Sequence, residues 1–231
     1  MKLTDEIRNY EVTSALTPEK IKTSREYYAL AVLKYAFPDM FANLRKLESP
    51  DLQDLNSKIG IEVTWSGSPI DEQISGEYQK YLNSTVEEYK EKRLEIIKRL
   101  GGDIDEFSVG FPVTTSEQDA KNLENIFTKK CKKADTYKKH IEKVGLAVIM
   151  DIPLFFFTIK DWGKWLSGFN KGSFNFMIMI HWSGVDIYSF EDKSYKSVRI
   201  NREDMDALKK IGRMTAEGLI KEDDTVWVYC E

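Results

Sequence analysis

Leu146-Ala147-Val148-Ile149-Met150 is an unbroken apolar run with no polar face. A strand of this kind is covered on both sides, because either pleated face left in water would expose a row of large hydrophobes. The run therefore predicts a central strand with helices above and below it. The rest of the chain supplies suitable partners. Thr17-Pro18-Glu19 has a capping Thr, a first-turn Pro and an acid, and it opens a helix over residues 18–37. Pro38 and Pro50 bracket an irregular or short helical piece. Residues 71–100 read as one long helix, or two broken near Asn83-Ser84, stopped by Gly101-Gly102. A short strand is expected within 107–114, and a helix from Thr115-Ser116-Glu117 to about Lys143. The stretches 174–182, 186–190 and 196–200 form a meander with turns at Ser183-Gly184 and Glu191-Asp192. Asn201 opens a helix to about Leu219, a short helix is expected over 159–169, and a strand over 225–229. The expectation is an α/β fold, a central mixed sheet flanked by helices, in one domain of 231 residues.

Charge and cysteine content narrow the function classes. There are 34 basic and 38 acidic residues, for a net charge of −4, so a histone-like or polybasic protein is excluded while a local basic patch is not. Cys131 and Cys230 have no C-x-x-C spacing, which disfavours a disulfide scaffold and a structural zinc site. Met1 to Tyr10 is charged, without the apolar stretch of a secretory signal. The most apolar segment, Val144 to Ile159, is interrupted by Asp151 and Pro153 and is too short to span a bilayer. The expectation is a soluble, cytoplasmic protein without membrane contact.

The chemistry concentrates in Ser49-Pro50-Asp51 and Ile59-Gly60-Ile61-Glu62-Val63-Thr64-Trp65. The second string alternates apolar residues with Gly60, Glu62 and Thr64, as a strand with one apolar face does. A two-residue turn at Asn56-Ser57 would pair residues whose numbers sum to 113, and 51 plus 62 is 113. Asp51 and Glu62 would then share a face with Cβ atoms about 5 Å apart. Two such carboxylates repel unless a cation lies between them or one is protonated. Hard oxygen ligands of this kind suit Mg²⁺ or Mn²⁺, and the Val63 carbonyl could add another oxygen.

These residues resemble the PD-(D/E)xK nuclease superfamily, whose fold is restriction-endonuclease-like. The resemblance implies that Asp51 and Glu62 bind the metal and that the chain is a metal-dependent nuclease acting on nucleic acid, DNA before RNA. The family usually places a lysine two residues beyond the Glu, to position or activate water. Here that position is Thr64, and relatives with such a change often take the lysine from a neighbouring helix. Many members carry a Glu on the helix before the hairpin, a place that Glu26 occupies. Some with a Gly-Ile-Glu-Val-Thr string carry Lys-x-x-Lys-x-x-x-Tyr before the next core strand, which Lys130, Lys133 and Tyr137 match. The matched motifs span about residues 26–150, within a motif-bearing half of about 17–150. Residues 151–231 would complete the sheet.

The lysines carry a reading of their own. Seven lie between Lys129 and Lys143 against Asp135 and Glu142, and Lys130, Lys133 and Tyr137 fall on one helix face. That face could bring a cation to the carboxylates and contact phosphates. Plainer readings stand beside these: Asp51 as a turn residue, Glu62 and Glu26 as surface carboxylates, the lysines as a solvated face. His140 and His181 have no metal-ligand spacing, and His181 reads as structural. Trp162, Trp165 and Phe155-Phe156-Phe157 read as core, or as a surface for a second copy or a protein partner. A different functional class stays open: an inactive nuclease-fold binding or interaction module, as part of a defence or mobile-element system.

Overall fold

The structure is a computed structural model that describes residues 7, 9–11, 16–104, 109–112, 116–150, 165–166 and 174–222. Its elements follow the chain as α1 (Pro18–Ala36), α2 (Pro38–Phe41), β1 (Arg45–Lys46), β2 (Leu52–Asp54), β3 (Ile59–Trp65), α3 (Pro69–Asn83), α4 (Glu87–Arg99), β4 (Asp103–Ile104), β5 (Val109–Gly110), α5 (Ser116–Tyr137), β6 (Lys143–Ile149), β7 (Phe176–His181), β8 (Gly184–Ser189), β9 (Tyr195–Arg199) and α6 (Arg202–Glu217).

Seven strands form one mixed sheet in the order β1-β2-β3-β6-β7-β8-β9, and β4 and β5 form a small separate ladder. The β3, β6 and β7 strands are parallel, and the pairs toward either edge are antiparallel. The apolar run is accounted for by β6 in the centre. Val144, Leu146 and Val148 pack in a core with Leu123, Phe127, Ala134 and Tyr137 of α5. Ala147 and Ile149 pack in the opposite core, with α1 and α6. This is an α/β sheet flanked by helices on both faces.

Local chemistry sets the helix ends. The Thr17 hydroxyl accepts from the Lys20 amide, Ser68 and Asp71 form a reciprocal capping box, and Asn201 Oδ1 accepts from the Asp204 amide at 2.8 Å. Gly218 ends α6 in the left-handed conformation, at φ 79°. The break near Asn83-Ser84 is real and separates α3 from α4. Gly212 lets α6 lie directly on α1, since a Cβ there would stand 2.6 Å from the Tyr28 amide nitrogen and 2.7 Å from the Ser24 carbonyl oxygen.

Two expectations change. The hairpin register does sum to 113, with Leu52 opposite Ile61, Gln53 opposite Gly60 and Asp54 opposite Ile59. Its turn, however, spans four residues, 55–58, because Asp54 Oδ1 accepts from the amides of Asn56 and Ser57 at 2.9 and 3.2 Å. The α5 helix ends at Tyr137 instead of near Lys143, which already opens β6. The Lys58 carbonyl accepts from the amides of Glu142 and Lys143 at 3.0 and 3.2 Å and draws the chain into the sheet. The short strand expected within 107–114 is β5, shorter than expected. Of the helix over 159–169, Trp165 and Leu166 are helical; its remainder, the strand over 225–229, Trp162, Phe155-Phe156-Phe157 and Cys230 lie outside the described residues. No helix among the described residues is long and apolar enough to cross a membrane.

Candidate active site

The hairpin meets α5 at Glu62. Ile61, Val63 and Trp65 turn toward α1 and α6, so the two-residue period of β3 sends Glu62 to the α5 face. Its side chain is 2% exposed and would be costly to bury as a lone carboxylate. Three donors from α5 meet it. Lys130 Nζ lies 2.7 Å from Oε1, Lys133 Nζ donates to the same oxygen at 3.0 Å, and the Tyr137 hydroxyl donates to Oε2 at 2.7 Å. The spacing of three and then four residues puts all three on the helix face turned to β3.

Asp51 precedes β2 and is buried. Its Oδ2 accepts from the Val63 amide at 2.8 Å, so the side chain continues the hairpin pairing one step past the end of β2. In an extended strand the N–H and C=O of a residue emerge on the same edge. The Val63 carbonyl therefore emerges on the edge where Asp51 lies. Pro50 packs over Gly60, where a Cβ would stand only 2.6 Å from the proline Cγ. Glycine at that position leaves the room that seats Pro50-Asp51 on the strand.

Glu26 on α1 is buried beside them. Lys46 Nζ of β1 lies 3.1 Å from its Oε2, and Lys22 Nζ lies 3.2 Å from Oε1 and 3.8 Å from Asp51 Oδ1. Both Glu26 oxygens are held by ammonium groups. The cluster thus holds Glu26, Asp51 and Glu62 among Lys22, Lys46, Lys130 and Lys133. Thr64 stands on β3 opposite Val148 and contributes no amine.

The environments drive the two hairpin carboxylates apart in acidity. Burial pushes Asp51 up to about 6, with the charges of Glu62 and Glu26 in the same direction and the Val63 amide and Lys22 opposing. Burial acts on Glu62 too, but hydrogen bonds from Lys130, Tyr137 and Lys133 outweigh it and hold Glu62 below the usual carboxylate range. Burial and the bond to Glu62 raise Tyr137, which stays a protonated phenol.

Asp51, Glu62 and the Val63 carbonyl are hard oxygen donors, the ligand type that Mg²⁺ and Mn²⁺ take. Among the described residues, no group of three or more His, Cys, Asp or Glu side chains is arranged to hold a metal ion. Comparisons with protein families, curated proteins and solved structures return no match.

Two neighbours of the cluster escaped the sequence reading. Lys22 had a usable signal, since it lies four residues before Glu26 on a helix. Lys46 had none, because a two-residue strand has no periodicity. Of the other residues considered, His181 is buried, with Nδ1 3.1 Å from Ser183 Oγ and Nε2 3.3 Å from Asp186 Oδ2, across the β7–β8 turn.

Proposed function

We propose that this chain is a metal-dependent nuclease of the PD-(D/E)xK kind, with a restriction-endonuclease-like fold, hydrolysing phosphodiester bonds in DNA. One observation carries the reading: an ammonium from α5, Lys130, lies 2.7 Å from Glu62, where Thr64 leaves the strand without a lysine. A buried acidic pair with a lysine against it is the minimum set for phosphodiester hydrolysis assisted by a cation.

Asp51, Glu62 and the Val63 carbonyl would hold Mg²⁺ or Mn²⁺. When bound, such an ion polarises a phosphate oxygen and lowers the pKa of a coordinated water. Lys130 would stabilise negative charge growing on the phosphoryl oxygens, at a site where burial strengthens the interaction. Lys133 is 58% exposed in its side chain and would meet the phosphate backbone from the solvent side. Tyr137 fixes the orientation of Glu62. Glu26, held between Lys22 and Lys46, would complete the acidic shell.

The test is cleavage of supercoiled plasmid, single-stranded DNA and RNA with Mg²⁺ or Mn²⁺. Cleavage that disappears in Glu62→Ala supports the reading, and cleavage that survives this change overturns the site. One observation favours a second reading: both Glu62 oxygens are already taken by three donors, which suits a binding module that performs no catalysis. Calorimetric titration with Mn²⁺ separates the two. Binding that requires Asp51 and Glu62 favours the nuclease, and no binding favours the module.

A further inference from the structure

A cavity of about 600 Å³ opens between α1, α6 and the carboxyl ends of the three parallel strands. It lies outside the carboxylate cluster, and none of the residues assigned above lines it. Trp65 ends β3, Ile149 ends β6 and His181 ends β7, and all three line the cavity. The carboxyl ends of parallel strands are where open α/β sheets take their ligands, and this volume is that of a small-molecule site.

The lining has a definite chemistry. The Arg25 guanidinium lies over the Trp65 ring, 4.1 Å from its centroid. Guanidinium planes and aromatic rings are the two surfaces on which proteins stack unpaired bases. Trp65 is itself buried beneath Arg25, and the indole presented to a ligand is that of Trp182, at the turn after β7, which is 55% exposed at the cavity. Arg202 and Lys209 of α6 bring two more cations, and Asp206 one anion. With Arg25, the charged lining is three positive and one negative, although the chain as a whole is acidic.

We infer that this cavity binds one unpaired nucleotide of a single nucleic-acid strand, its base against the Trp182 indole and the Arg25 guanidinium and its phosphate toward Arg202 and Lys209. The inference rests on the nucleic-acid reading above and names the form of the substrate. Position links the two sites. Arg25 adjoins Glu26 on α1, and Trp65 follows Glu62 by three residues on β3, about 10 Å along the strand. Because β2 pairs only with residues 59–61, the edge of β3 from Glu62 to Trp65 has no neighbouring strand on that side among the described residues, and Asp51 meets it at the Val63 amide. A nucleic-acid strand running past the end of β3 would reach both the carboxylates and the cavity. A paired base in a duplex, held in its stack, cannot enter.

The experiment uses the full chain in EDTA, so that binding is read without cleavage. Fluorescence anisotropy follows labelled oligothymidylate and a labelled duplex, with thymidine monophosphate and inorganic phosphate as competitors. The variants are Trp182→Ala and Arg202→Ala, at side chains exposed enough to leave folding intact. The single strand is expected to bind more tightly than the duplex. Trp182→Ala should weaken it about 5- to 150-fold, the range for one stacked base. Arg202→Ala should weaken it less and flatten its salt dependence. Thymidine monophosphate should compete and phosphate alone should not.

Unchanged affinity in both variants, duplex binding as tight as single-strand binding, or competition by phosphate equal to that of the mononucleotide overturns the inference. A mononucleotide that binds more tightly than the oligonucleotide also overturns it, in favour of a free nucleotide ligand. Cavity-dependent binding without any cleavage in Mg²⁺ removes the nuclease reading alone. Cleavage with no effect of either variant on binding removes the cavity inference alone.

Discussion

Asp51→Asn should make the metal-free protein more stable at neutral pH while removing the proposed nuclease activity. Asp51 is held near 6 in the folded chain, against an ordinary value of 3.8. A folded-state pKa above the unfolded one gives an acid a stabilising contribution that is full below pH 4 and lost as pH rises through 6. The shift of about 2.2 units corresponds to about 3 kcal/mol at pH 8, and incomplete burial of Asp51 trims that to about 2 kcal/mol. Asparagine keeps the shape and an oxygen to accept the Val63 amide, and it never carries the charge. Thermal melts in EDTA should therefore show wild type and variant close together near pH 4. The gap should widen up to pH 6.5 and level off with the variant about 4–8 °C higher. Divalent cation should reverse the order, since binding to the wild type alone raises its melting temperature. A variant no more stable than wild type at pH 8 in EDTA would refute the electrostatic account of Asp51.

Three further outcomes follow from the same geometry. Lys130→Met should lower cleavage by about 100-fold or more, the loss typical of a donor aimed at developing charge, and Lys133→Met by less, as plasmid assays would read. Tyr137→Phe leaves the buried Glu62 Oε2 without its donor and should cost about 1.5–3 kcal/mol in urea unfolding. Gly60→Ala forces a Cβ to within 2.6 Å of Pro50 and 3.1 Å of Ile141, and should cost about 1–3 kcal/mol while weakening Mn²⁺ binding by shifting Asp51, which calorimetry would detect.

The hairpin register was legible because it depends on where the turn is centred, and Asn56-Ser57 lies at the centre of the observed turn 55–58 as it does of a two-residue one. The turn length was not legible, since it depends on the Asp54 side chain capturing two amides in competition with a tight turn. The helix face of Lys130, Lys133 and Tyr137 followed from spacing alone. The end of that helix did not, because residues 138–142 include no glycine or proline, and the chain is stopped by a tertiary contact with the Lys58 carbonyl. The cavity was hidden for a related reason. Arg25, Trp182 and Arg202 are scattered in sequence and converge only where three strand ends meet two helices.

The bare backbone contact at Gly212 has a mechanical consequence. It seats α6 on the turn of α1 that runs from Ser24 to Tyr28. That one turn carries Arg25 toward the cavity and Glu26 toward the acidic cluster. A rigid strut of this kind ties two places that share no residue, so a displacement of α6 reaches both together. Widening the contact with a larger residue at 212 should weaken binding at the proposed nucleotide and cation sites together. Neither place can be retuned through α6 without disturbing the other.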